Sequence, residues 1–110
     1  MATGREYMEF IREQLLPADG VSLKAMMGEY IIYCRGIIIG GIYDDRFLVK
    51  ETKASKALLP GAPLEEPYEG AKKMLLVEEV DDKTFLKELV CAVADELAQK
   101  NAGRMSRKDK

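Results

Sequence analysis

The side chains able to do chemistry are few, and their spacing argues against most of it. Asp44-Asp45 sets two carboxylates together as a metal site would, yet no ladder of alternating oxygen ligands and no closing glutamate follows. A tight turn accounts for the pair, because aspartate tolerates left-handed backbone and bonds its own main chain. Glu65-Glu66 and Glu78-Glu79 offer an acid and a base, but no third residue is placed beside them, so solvated surface is the plainer reading. Ser22 and Ser55 have neither a histidine nor a GxSxG setting. Histidine is absent altogether, which removes the commonest general base and the commonest transition-metal ligand in one step. Cys34 and Cys91 form no CxxC pair and sit in apolar segments, where a free thiol behaves as a small hydrophobe. The glycines match neither GxGxxG nor a phosphate loop. The expectation is a protein that is not an enzyme and uses no cofactor or metal.

What remains is binding. Arg104, Arg107, Lys108 and Lys110 crowd the last ten residues and offer a weak contact to nucleic acid. The chain carries a net charge of −2, and without that basic end residues 1–100 carry −5. A body of that sign repels phosphate, so direct nucleic-acid binding by the folded part is not expected. Met26 and Met27 are adaptable thioethers that suit a contact surface, although core filling is the default for methionine in a strand.

These residues need a scaffold. A chain of 110 residues makes one domain. It can remove roughly 65% of its unfolded surface from water, enough for a core without disulfides or metal. Residues 1–100 are read as that domain and 101–110 as a basic, disordered tail. No apolar run approaches the ~20 residues that cross a bilayer. Glu6 and Glu9 interrupt any signal-like start, so the expected location is the cytoplasm.

Thr3 and Glu6 have the spacing of a capping box, and Tyr7, Phe10, Ile11 and Leu15 recur at helical intervals, predicting a helix over about 4–16. Pro17 and Gly20 bracket its end. The densest β-branched and aromatic stretch, Leu23 to Lys50, lies within four predicted strands: Val21–Met27, Tyr30–Cys34, Ile37–Tyr43 and Arg46–Lys50. Gly28, a bulged turn at Arg35-Gly36 and a tight turn at Asp44-Asp45 separate them as an antiparallel meander. Gly40-Gly41 inside a strand marks a bulge or a close backbone approach. A short helix follows at Thr52–Leu59, then a loop over 60–70 rich in proline and glycine. A fifth strand is predicted at Lys73–Glu78. The last helix is capped by Asp81 or Asp82, runs to about Lys100 and ends at Asn101-Ala102-Gly103. The order α-β-β-β-β-α-β-α predicts an α+β two-layer sandwich, with three helices over a mostly antiparallel sheet of about five strands.

Tyr30–Cys34 and Ile37–Ile42 are apolar on both faces, whereas a sheet wet on one side alternates. Either the helices split across both faces, or part of the sheet, or its edge, is buried in a partner; the expectation is the latter, with a second copy of the chain in a homodimer.

Met26-Met27-Gly28-Glu29-Tyr30-Ile31-Ile32-Tyr33, the glycine turn at Gly36 and the turn Asp44-Asp45 before a strand ending in lysine together resemble the N-terminal domain of the TfoX/Sxy family. The resemblance continues through Tyr68-Glu69-Gly70-Ala71-Lys72-Lys73-Met74 and covers roughly residues 7–100. It implies a fold similar to the secretion chaperones, with no catalytic residues to carry over. It also implies a bacterial regulator of competence acting on transcription through protein contacts, as the best-known members do with the cyclic AMP receptor protein. Those members carry a second, helical domain, and this chain is expected to stand without it. A chaperone-like module that holds an extended peptide at a sheet edge is the other function expected of such a scaffold.

Overall fold

Three tight turns organise the structure, a computed structural model that describes residues 3–108, with 101–108 as backbone. They join β1 (Val21–Met26), β2 (Glu29–Cys34), β3 (Ile37–Tyr43) and β4 (Arg46–Val49) into an antiparallel meander. Each turn has two residues at positive φ: Met27-Gly28 (52° and 87°), Arg35-Gly36 (53° and 80°) and Asp44-Asp45 (53° and 57°). Paired left-handed residues are the two-residue hairpin geometry whose twist matches the flanking strands. The bulge expected at Gly36 lies elsewhere. Cys34 pairs with Ile37 directly across the turn, and the register shifts between Ile32 and Tyr33, leaving Ile39 as the extra residue.

Gly40-Gly41 explains why the shift falls there. A Cβ on Gly40 would lie 2.1 Å from the Leu48 carbonyl oxygen, and one on Gly41 would lie 2.6 Å from both the Tyr30 carbonyl oxygen and the Tyr43 ring. Only a backbone without side chains admits neighbours this close.

The sheet has six antiparallel strands in the order β1-β2-β3-β4-β6-β5, with β5 at Leu64–Glu65 and β6 at Met74–Leu76. The added strand β5 sits inside the expected loop. The two strand residues, Leu64 and Glu65, are too few to show a strand period, and they pair only because β6 offers Leu75 and Met74 opposite them. One edge of the sheet is thus six residues long and the other two.

The helices are α1 (Arg5–Gln14), α2 (Lys53–Leu58) and α3 (Lys83–Lys108). The expected capping box at Thr3 does not form, because the N-cap of α1 is Gly4, one residue later. The Thr3 hydroxyl instead donates to the Glu29 carboxylate at 2.6 Å, and the Gly4 N–H donates to the Asp45 carboxylate at 2.8 Å. The start of α1 is thereby tied to two hairpins rather than to its own first turn. Asp82 caps α3, accepting the Phe85 N–H at 3.0 Å. Helical backbone continues past Asn101-Ala102-Gly103 to Lys108, where a disordered tail was expected. One interior glycine costs a helix only about 1 kcal/mol, and arginine, methionine and lysine are good helix formers.

All three helices contribute to one core on one face of the sheet. Met8, Ile11 and Leu15 of α1, Leu59 just after α2, and Leu86, Leu89, Val90 and Val93 of α3 meet Ile32, Cys34, Ile39, Ile42, Phe47, Val49 and Leu75. Full burial of such side chains contributes about 1.5–3 kcal/mol each. The fold is α+β in two layers, as expected.

Candidate functional site

Strand register settles which residues look away from the helices. Tyr30, Ile42 and Phe47 form one inward row, and Ile32, Gly40 and Val49 another. The outward rows are Ser22, Tyr33 and Ile38, and Lys24, Ile31, Gly41, Leu48 and Leu76. Leu48 is fully buried, so the outer face is covered at its β4 side. Towards β1 it opens: Ile31 and Tyr33 are half-buried, Ile38 is 38% exposed and Met26 is 39% exposed. The apolar outer face noted in the sequence is therefore wet over β1, β2 and the start of β3.

Met26 and Met27 do not fill the core. Met27 stands at the tip of the β1–β2 hairpin with 96% of its surface exposed, at a φ of 52°. Such backbone suits asparagine or glycine, and a long apolar side chain gains nothing there from packing. An adaptable thioether held in water beside an open strand edge suits contact with another molecule.

The other residues marked in the sequence separate. Gly28 completes the Met27 turn, and Asp44 and Asp45 form the turn at the same end of the sheet. Tyr30 faces the core, Tyr33 faces outward opposite Ile38, and Gly36 lies at the far end of the sheet. Asp44 and Asp45 serve as turn residues, with the Glu29 carboxylate accepting the Asp44 N–H at 3.1 Å. Among the described residues no group of three or more His, Cys, Asp or Glu side chains is placed to hold a metal. Cys34 is buried, which pushes its thiol upward, and Cys91 is half-buried; both are free. The side chains of Arg104, Arg107 and Lys108, and all of Lys110, lie outside the described part. No helix among the described residues is long and apolar enough to cross a membrane.

Sequence reasoning missed one construction. Arg46 holds the segment after β5: its guanidinium meets the Glu65 carboxylate at 2.7 Å and donates to the carbonyls of Glu66 at 3.2 Å and Pro67 at 3.5 Å. Its Nε–H donates to the Tyr43 carbonyl at 3.1 Å. The result sets Tyr68 against Tyr43, ring centres 6.2 Å apart at 54°. Burial, then the neighbouring Tyr68 and Glu29, raise the Tyr43 phenol above its usual value. Beside these rings a cavity of about 410 Å³ opens between residues 67–74, the end of β4 and α3. The only hint in the sequence is an arginine opening a strand, which is too common to single out.

Comparison with known proteins finds a similar chain. A protein of Spirochaeta aurantia, described as "Uncharacterized 12.7 kDa protein in trpE 5'region", is 32% identical over 80 residues, covering 73% of this chain and 70% of that protein. No family model matches the chain, and no solved structure matches it significantly.

Proposed function

We propose that this chain, which belongs to the same family as the 12.7 kDa protein in the trpE 5' region of Spirochaeta aurantia, is a non-enzymatic regulatory protein that works through protein contacts. The reading is of the TfoX/Sxy type, carried out in the cytoplasm by a homodimer that engages a transcription regulator. One observation carries it: Met27, fully in water on backbone that disfavours it, stands beside the open sheet face and the unpaired edge of β1.

The first partner is a second copy of the chain. Antiparallel pairing of two β1 edges centred on Leu23 sets Val21 against Ala25 and Ser22 against Lys24. That register keeps the two lysines apart and the two outer faces continuous. Tyr33, Ile38 and Met26 of both copies then make one larger apolar surface for the regulated protein. The β1 edge also favours a second reading, a chaperone-like module in which an extended peptide takes the place of the second copy.

Light scattering at micromolar concentration tests the pairing. The expected result is a dimer for the native chain and a monomer for the Ser22→Lys variant, which sets a lysine against Lys24 of the other copy, with unchanged circular dichroism. A monomer for the native chain overturns the homodimer, and a native monomer that co-purifies with an unstructured segment selects the chaperone-like reading.

A further inference from the structure

We propose that the cavity beside Tyr43 and Tyr68 binds a small organic anion of two or more negative charges with a flat ring. The site is separate from the open sheet face and does not depend on its reading.

The lining decides the chemistry. Four lysines, Lys50, Lys72, Lys73 and Lys100, line the cavity together with a single carboxylate, Glu51. Glu51 is engaged by Lys56 at 3.5 Å, and Lys100 by Glu96 at 3.4 Å. Lys50, Lys72 and Lys73 have no carboxylate within ion-pair distance among the described residues. In a body of net negative charge, three lysines without a carboxylate partner around one cavity make a local positive field that favours an anion. A single carboxylate would leave most of that charge unmet, hence the requirement for two or more.

The walls supply the rest. Tyr68 leaves 61% of its surface exposed although its ring is held in place against Tyr43, and Met74 and Leu97 add apolar lining. An exposed but fixed aromatic ring is a platform for a flat group, because most of its surface stays open to solvent. A volume of about 410 Å³ suits a small organic molecule. Arg46 is a positioning residue here: it fixes the carbonyls of Glu66 and Pro67, and so the placement of Tyr68, without reaching the ligand itself.

Calorimetric titration of the full chain with pyrophosphate and with adenosine diphosphate, at physiological salt, tests the assignment. The expected result is one site per chain for both probes, tighter for the diphosphate that carries a ring. Lys72→Glu/Lys73→Glu should weaken both probes about tenfold or more. Tyr68→Ala should erase the advantage of adenosine diphosphate over pyrophosphate and leave pyrophosphate unchanged. Lys87→Glu, on the exposed side of α3 outside the cavity, should change neither. Absence of binding by both probes overturns the proposal. So does equal weakening by Lys87→Glu and by the cavity variant, which would make the attraction one of general charge.

Discussion

The Glu96 carboxylate of α3 accepts the backbone N–H of Ala54 at 2.8 Å and that of Lys53 at 3.0 Å, closing the start of α2 from another helix. A helix start has N–H groups with no partner inside the helix, and a carboxylate both bonds them and meets the positive end of the dipole. The Thr52–Ser55 capping box satisfies the adjacent groups, so six residues stay helical where an isolated helix of that length would not.

Replacing Glu96 with glutamine should lower the thermal midpoint by a few degrees and disturb α2 before the sheet. The bonds from Ala54 and Lys53 hold this carboxyl below its ordinary value of 4.5, against the opposing effect of burial. A depressed carboxyl lends stability that is complete above its unfolded value and disappears as pH falls through the folded one. The native chain and Glu96→Gln should therefore differ at neutral pH and converge as the pH drops below about 4.5. Thermal melts across that range give the readout.

Gly40→Ala should be among the most damaging single changes. Its new methyl would meet the Leu48 carbonyl oxygen at 2.1 Å in the middle of the sheet, where β4 cannot retreat without losing its pairing on both sides. Overpacking of this kind costs about 1–3 kcal/mol. Urea denaturation should show that loss or a failure to fold, whereas a neutral result would mean that the strands separate freely.

Met27→Asn should act in the opposite direction on stability. It places asparagine before Gly28 in a turn that needs two left-handed residues, worth about 1 kcal/mol at the first of them. The same change removes the exposed thioether. Chemical denaturation should show a gain in stability while light scattering shows weaker self-association.

Arg46→Ala should free the segment after β5 and cost about 1–2 kcal/mol, since the guanidinium makes charge-assisted bonds in a half-buried setting. Hydrogen exchange should quicken over residues 64–70 while β1 to β3 keep their protection. Uniform quickening would mean that Arg46 supports the whole sheet.

The meander was legible because its punctuation is local. Gly28, Gly36 and Asp44-Asp45 fall where the chain must turn, and the two-sided apolar strands announce a face that the helices leave partly bare. What could not be read depends on partners far along the chain. Thr3 has the spacing of a cap, but Glu29 and Ile42 compete for its hydroxyl. Gln14 looks like a surface residue, yet it is buried and donates to the Val80 carbonyl at 2.9 Å. Glu96 lies forty-two residues from the N–H of Ala54 that it accepts. The lysines of the cavity come from three separate segments, so no short motif could have announced them.

The unequal margins of the sheet limit how copies of this chain can add to one another. The side ending in Leu64–Glu65 offers too little main chain to seat a neighbour, whereas the Val21–Met26 side offers a full strand. A unit with one sticky flank and one blunt flank stops growing once it has found a mate. Concentrating the protein should therefore fill a pair and never draw out a fibre.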